Sequence, residues 1–106
     1  MKIICLGDSF TQGYMVDKSY ADYLADMGYE VKNYGVNGNR TSQMLHRFNG
    51  EDADVLIVFG GSNDTFDAIS SEDIFDNIKS ILKKSKASKD IVCLLYTSDA
   101  ADDMQC

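Results

Sequence analysis

The hydrophobic residues of this chain fall alternately into short apolar runs and into stripes with helical spacing. The runs predict four strands, at 2–6, 31–34, 55–59 and about 90–96. Between these strands, the stripes predict three helices. The first begins after residue 19 and carries the stripe Tyr20, Tyr23, Leu24 and Met27. The second begins after residue 40 with Met44, Leu45 and Phe48, and the third begins after residue 70 with Ile74, Ile78, Ile81 and Leu82. Alternation of strands and helices is typical of a parallel sheet with right-handed crossovers. We therefore expect an α/β protein.

Two of these elements carry further signals. The run from Val55 to Phe59 is apolar throughout, which predicts a central strand buried on both faces. Ser70, with Asp73 three residues later, is typical of a helix N-terminus. Acidic residues near the start of that helix and lysines near its end suit the helix dipole.

Polar, glycine-containing segments follow the first three strands. They are Gly7-Asp8-Ser9, the stretch from Asn33 to Thr41, and the stretch from Gly60 to Asp64. The carboxyl ends of parallel strands lie along one edge of a sheet, so we expect these segments to converge there. A serine at the start of a helix has unpaired backbone N–H groups beside it, which is a suitable arrangement for a nucleophile with oxyanion donors. The alternative is turn formation alone, since Gly, Asp and Ser are all common in turns.

These three segments resemble the sequence blocks of the SGNH hydrolases, also called GDSL-type esterases and lipases. Gly7-Asp8-Ser9 with Gly13 is similar to the nucleophile block, 33–38 to the second block, and 61–64 to the Gly-x-Asn-Asp third block. The resemblance implies that Ser9 is the nucleophile and that its N–H, the Gly38 N–H and the Asn63 side-chain amide form the oxyanion hole. It also implies supporting roles for Gly7, Asp8, Gly61 and Asp64.

The same resemblance implies a fold and a substrate class. The fold is a flavodoxin-like three-layer α/β/α sandwich with strand order 2-1-3-4-5. The substrate is a small-molecule carboxylic ester, and neither a cofactor nor a metal is expected. The sequence does not identify the ester, and it makes no prediction of the oligomeric state.

The family's acid and base come from an Asp-x-x-His block near the C-terminus, and this chain has no such block. Its single histidine, His46, shares the polar side of the second helix with Ser42 and Asn49, so we expect it to face solvent. A general base must reach the nucleophile by a hydrogen bond. We therefore expect this chain to be nearly inactive.

The C-terminal stretch from Cys93 to Asp103 resembles the translation of a sequencing-library adapter. On that interpretation residues 93–106 are a non-native tail; the alternative is a genuine fourth strand, since 91–96 is sufficiently apolar. A chain of 106 residues supplies only about three and a half βα units. We therefore expect residues 1–92 to be the N-terminal part of one domain, with about four of five strands, an open edge at the fourth strand and uncovered apolar sheet surface.

Composition excludes several classes of function. The net charge is −7, to which Asp99, Asp102 and Asp103 contribute −3, leaving −4 for residues 1–92. An acidic chain argues against a nucleic-acid partner. No apolar run is long enough to span a membrane, and the first strand begins too close to Met1 to leave room for a signal peptide. We expect a cytoplasmic protein without disulfides or a Cys/His metal site.

Two alternatives stay open. Asp8 and Asp64 are expected to brace the first turn and to cap the residues after Asn63, but two carboxylates at strand ends also fit a magnesium site for phosphoryl transfer with Asp8 as acceptor. Against that, Phe10 rather than a second Asp follows two residues after Asp8, and no P-loop Gly-Lys-Ser/Thr occurs. A non-catalytic remnant is the other alternative. Near Ser9, the apolar side chains Phe10, Tyr14 and Met15 either line an acyl or alcohol pocket or serve in packing.

Overall fold

A single sheet organises the computed structural model, which describes residues 1–95 and 104–105. Its strands are β1 (Lys2–Gly7), β2 (Glu30–Gly35), β3 (Val55–Gly60), β4 (Lys89–Leu95) and β5 (Met104–Gln105). The order across the sheet is β2-β1-β3-β4-β5, and the first four strands are parallel. This confirms the predicted α/β class and the order 2-1-3-4.

The edge at β4 differs from the prediction. Leu94 and Leu95 pair with Gln105 and Met104 of β5, which runs antiparallel to β4. The C-terminal end of β4 is therefore covered by two residues of the same chain, whereas the sequence led us to expect an open edge.

Five helices connect the described strands: α1 (Ser9–Gln12), α2 (Tyr20–Asp26), α3 (Thr41–Arg47), α4 (Ser62–Phe66) and α5 (Ser71–Lys84). The three longer ones, α2, α3 and α5, are those predicted from hydrophobic spacing. Hydrophobic spacing did not predict the short helices α1 and α4, because four or five residues are too few to show a periodicity; for α1 the sequence indicated only a helix start at Ser9. Both begin within two residues of a strand end, which places their first turns at the carboxyl edge of the sheet.

One face of the sheet is covered by α3 and α5. Leu56 and Val58 of β3 are buried beneath α3 and α5, together with Ile74, Ile78 and Ile81 of α5. These are the α5 positions that the sequence predicted, and each buried isoleucine contributes about 1.5–3 kcal/mol of transfer free energy. The Ser70 side chain accepts a hydrogen bond from the Asp73 N–H at 3.1 Å, as expected for the N-cap.

The opposite face is covered only in part, by α1 and α2. Ile57 and Phe59 on this side of β3 are half-buried, which corrects the prediction that β3 is buried on both faces. On α2, Tyr23 and Met27 are 58% and 72% exposed, so the predicted stripe does not pack as a whole. An apolar groove of about 440 Å³ runs along this face between α2, β3 and β4. We call it the open sheet face.

The proposed junction at residues 92–93 lies inside a continuous strand, since β4 runs unbroken to Leu95. Residues 96–103 and 106 lie outside the described residues, and the non-native tail stays a prediction. The expectation of no disulfide is wrong for Cys93, which is disulfide-bonded. Cys5 is free and buried. None of the described helices is long and apolar enough to cross a membrane.

Candidate active site

The first of the three predicted loops joins β1 to α1 and carries Ser9. Gly7 ends the strand where a Cβ atom would lie 2.2 Å from Thr11 Oγ1 and 2.8 Å from the Phe59 carbonyl oxygen, so only glycine fits there. Asp8 is the N-cap of α1, and its Oδ1 accepts a hydrogen bond from the Phe10 N–H at 3.0 Å. Ser9 is therefore the first residue of the helix, as the sequence predicted.

Asp8 also joins the first loop to the third. Its second oxygen, Oδ2, accepts a hydrogen bond from the Ser62 hydroxyl at 3.1 Å. The side chain is only 2% exposed, and burial raises the pKa of Asp8 although the bonds from Phe10 and Ser62 act in the opposite direction. Bracing of the turn by Asp8 thus agrees with the prediction, and the contact with Ser62 extends it to the start of α4.

The second loop, between β2 and α3, packs directly on α1. Asn33 donates from Nδ2 to the Thr11 carbonyl at 2.8 Å and accepts at Oδ1 from the Gly35 N–H at 2.9 Å. At Gly35 a Cβ atom would lie 2.2 Å from the Gln12 backbone nitrogen. The Val36 N–H then donates to the Gly7 carbonyl at 3.1 Å. The second loop is consequently fixed against the segment that carries Ser9.

The Gly38 turn is linked to the third loop. Gly38 has a φ of +82°, a conformation that favours glycine. Asn39, which follows it, accepts at its carbonyl a hydrogen bond from the Asn63 side-chain amide at 2.9 Å. Gly61, with φ of +101°, turns the chain from β3 into α4 and so places Asn63 in the first turn of that helix.

Asp64 has a different role from the one predicted. It is 1% exposed, and its two oxygens accept hydrogen bonds from the Thr41 N–H at 2.8 Å and the Thr41 hydroxyl at 2.7 Å. Asn77 on α5 donates to the same hydroxyl at 3.1 Å. Asp64 therefore caps the start of α3 and does not cap the residues after Asn63. The prediction failed because a contact between residues 23 positions apart leaves no local pattern.

Arg47 is a part of this network that sequence reasoning missed. From the last turn of α3 it donates to Asn39 Oδ1 at 2.7 Å through Nε and to the Gly7 carbonyl at 2.9 Å through Nη2. A basic residue in the last turn of a helix normally indicates only a favourable interaction with the helix dipole. The sequence therefore held no separate signal for this contact.

The arrangement also bears on the magnesium alternative. Both oxygens of Asp8 and both oxygens of Asp64 accept hydrogen bonds from protein donors. Within the described residues, no three His, Cys, Asp or Glu side chains are grouped so that they could hold a metal ion. Engagement of the carboxylates by protein donors disfavours the phosphoryl-transfer interpretation, because a magnesium site needs oxygens that are free to coordinate.

A cavity of about 250 Å³ adjoins Ser9. Phe10, Tyr14, Val16 and Tyr20 contribute most of its apolar wall, and Lys18 lies at one side. Phe10 also stacks on Phe59, with 4.5 Å between ring centroids. Met15 is 88% exposed and does not line the cavity, so of the three apolar residues expected near Ser9 only Phe10 and Tyr14 do.

His46 is exposed on α3, as the hydrophobic pattern predicted. Among the described residues, no hydrogen bond involves the Ser9 hydroxyl. The described part of the chain therefore presents a helix-terminal serine without a paired base, on a loop that hydrogen bonds join to the second and third loops.

Comparison with known protein families gave a match over nearly the whole chain. Residues 5–105 match the model of the GDSL-like Lipase/Acylhydrolase family. Comparison with curated proteins gave no match.

Several solved structures share the fold. A protein assigned to the lipolytic G-D-S-L family, from Desulfitobacterium hafniense DCB-2, superposes with a TM-score of 0.82 at 23% identity, over 96% of this chain and 64% of that one. AlinE4, an SGNH-hydrolase family esterase, superposes with a TM-score of 0.67 at 29% identity, over 78% of this chain and 51% of AlinE4. The psychrotrophic esterase EstA from Pseudoalteromonas sp., inhibited by monoethylphosphonate, superposes with a TM-score of 0.71 at 18% identity, over 89% of this chain and 58% of EstA.

The chain thus spans between 51% and 64% of the length of these three structures. The family model, in contrast, matches nearly all of it, and the three glycine-containing loops that resemble the family's blocks lie at one edge of the sheet. The chain belongs to the GDSL-like lipase/acylhydrolase family.

Proposed function

We propose that this chain is the N-terminal part of a serine hydrolase of small-molecule carboxylic esters, with Ser9 as the nucleophile. The Ser9 hydroxyl attacks the ester carbonyl, and the resulting oxyanion is bound by the N–H groups of Ser9 and Gly38 and by the Asn63 side-chain amide. The observation that supports this most directly is the hydrogen bond from Asn63 Nδ2 to the carbonyl of Asn39, the residue after Gly38.

This hydrogen bond matters because a side-chain amide has two N–H donors. One is engaged by Asn39, which fixes the orientation of the Asn63 side chain, and the second is left for a ligand. A donor that is already oriented stabilises a developing negative charge without reorganising, and one such donor contributes about 10²–10³-fold to kcat.

The same proposal accounts for the missing base. The sequence has one histidine, and it is exposed on α3. We propose that residues 1–92 supply the nucleophile and the oxyanion hole, that an acid–base pair is supplied by sequence beyond this chain, and that residues 93–106 are not native. Turnover by this chain is then low, with a residual acceleration of about 10³-fold over water from binding and the oxyanion hole.

Covalent labelling tests the nucleophile directly. The purified chain is incubated with a fluorophosphonate, and the modified peptide is identified by mass spectrometry. We expect slow labelling at Ser9, none in Ser9→Ala, and about 10²-fold slower labelling in Asn63→Ala. Ser42→Ala is the matched control, because Ser42, like Ser9, lies in the first turn of a helix, and it is exposed to the reagent. Equal labelling of the unmodified chain and Ser9→Ala would refute the assignment.

A cytoplasmic location stays a prediction, which fractionation of cells expressing the natural full-length protein would test.

A further inference from the structure

We infer that Arg47 is a positioning residue that holds the Gly38–Asn39 turn and the Gly7 carbonyl in one arrangement, and through them the oxyanion hole. This inference rests on the proposed ester hydrolase function. Arg47 is assigned no contact with substrate, and its effect passes through Asn39 and Gly7.

The guanidinium bridges two loops that are far apart in sequence. Nε donates to Asn39 Oδ1 at 2.7 Å in the second loop, and Nη2 donates to the Gly7 carbonyl at 2.9 Å in the first. Because the guanidinium is planar and rigid, these two donors keep a fixed spacing. The Gly7 carbonyl also accepts from the Val36 N–H at 3.1 Å, so it joins α3, the second loop and β1 at one atom.

Packing contributes little at Gly38 itself. The residue is exposed, and a Cβ atom built on it has no heavy atom within 4 Å. The turn is held by hydrogen bonds. The Asn37 N–H donates to Oε1 of Gln12 on α1, and the next contacts are made by Asn39, which is only 8% exposed. Asn39 is held at three points, by Arg47 at the side chain, by Val36 at the backbone N–H and by Asn63 at the carbonyl. Of these three partners, Val36 and Arg47 also donate to the Gly7 carbonyl in the loop that carries Ser9, and only Arg47 does so through its side chain.

The electrostatic setting supports this role. Arg47 is half-buried, and burial lowers its pKa. Among the described residues it makes no ion pair, in contrast to Arg40, the N-cap residue of the same helix, which pairs with Asp67 at 3.9 Å. Burial of a cation is unfavourable unless hydrogen bonds compensate. The two loop oxygens provide that compensation, so the head group and the two loops hold one another in place.

Hydrogen exchange followed by NMR tests the inference in the chain of 106 residues. The variants are Arg47→Gln, Arg47→Lys and, as the matched loss of one charge on the same helix, Arg40→Gln. The amides of Val36 and Asn39 report on the turn, and those of Ile4 and Val58 report on the core.

In Arg47→Gln we expect exchange at Val36 and Asn39 to accelerate about 10- to 100-fold, as loss of hydrogen bonds from a charged donor implies. The core amides should change much less. Exchange in Arg47→Lys should be intermediate between the unmodified chain and Arg47→Gln, since an ammonium group lacks the planar set of donors of a guanidinium. Exchange in Arg40→Gln should stay within about 2-fold of the unmodified chain. Equal acceleration at all four amides, or none at Val36 and Asn39, would overturn the inference.

The functional arm measures fluorophosphonate labelling of Ser9 in the same proteins. We expect labelling to slow about 10-fold in Arg47→Gln and to recover in part in Arg47→Lys, with Arg40→Gln unchanged. A locally loosened turn with an unchanged labelling rate would also overturn the positioning role. Failure of the ester hydrolase proposal appears differently, as labelling that persists in Ser9→Ala.

A second variant covers the case in which Arg47→Gln does not fold. Asn39→Ala removes only the side-chain acceptor of Arg47 and leaves the guanidinium bonded to Gly7. We expect faster exchange at Val36 and slower labelling of Ser9 in this variant. Unchanged values for both would count against Arg47 as the residue that orients the turn.

Discussion

Replacement of Thr41 by valine removes one hydroxyl from the buried contact that joins α3 to α4. Valine has nearly the same shape as threonine, so the change tests the hydrogen bond more than the packing. Thr41 and Asp64 are 0% and 1% exposed, and the hydroxyl donates to Asp64 Oδ2 at 2.7 Å. After the substitution Asp64 Oδ2 has lost this donor and is still buried.

The expected cost follows from the charge of the acceptor. A hydrogen bond to a charged group contributes about 1.5–3 kcal/mol, whereas one between neutral groups contributes about 1 kcal/mol. We expect Thr41→Val to lower the free energy of unfolding by about 2–3 kcal/mol. The matched control is Thr11→Val, because Thr11 is equally buried but its hydroxyl lies 2.7 Å from the neutral hydroxyl of Tyr20. That variant should lose about 1 kcal/mol.

Urea denaturation followed by circular dichroism measures both variants at a concentration where the chain is monomeric. With a urea m-value of about 1–3 kcal/mol per molar, Thr41→Val should unfold at a midpoint about 1–2 M lower than the unmodified chain. The midpoint of Thr11→Val should shift by about half as much or less. If the two valine variants unfold at the same midpoint, the charged contact is not the source of stability inferred here.

Two further predictions concern Asp8 and Gly35. Burial raises the pKa of Asp8 above its ordinary value of 3.8, so the folded state binds the proton more tightly than the unfolded state does. The contribution of Asp8 to stability therefore falls as the pH rises from 3.8 through the raised pKa of the folded state. The unfolding free energy of the unmodified chain minus that of Asp8→Asn should therefore decrease between about pH 4 and about pH 7 in urea titrations; an increase would contradict this. Gly35→Ala should cost about 2 kcal/mol or more, because its Cβ meets the Gln12 backbone at 2.2 Å. Gly28→Ala, strained at φ +99° but with no atom within 4 Å, is the comparison in thermal melts, and equal losses would rule out the steric argument.

Local patterns predicted those parts of the fold that depend on residues close in sequence. The stripe on α5 predicted the buried isoleucines and the cap at Ser70, since both arise within one helix. Apolar runs located β1 to β4 to within two residues at each end. The glycine-containing segments after the first three strands were expected at one edge, and hydrogen bonds from Ser62 to Asp8 and from Asn63 to Asn39 join them there.

Contacts between distant residues were beyond the same reasoning. Tyr23 and Met27 have helical spacing, but spacing does not tell whether a neighbouring element exists to cover them. Asp64 reaches Thr41, and Arg47 reaches Gly7, across 23 and 40 positions respectively. Such partners are determined by the way helices pack on the sheet, which the order of residues in one segment does not encode.

Phe10 connects the open sheet face with the nucleophile. Its ring stacks on Phe59 and lies in the walls of both the apolar groove and the cavity next to Ser9. A change of packing in the groove would therefore reach the residue adjacent to Ser9 through one aromatic ring, which makes Phe10 a place where the sheet surface and the reactive serine are mechanically coupled.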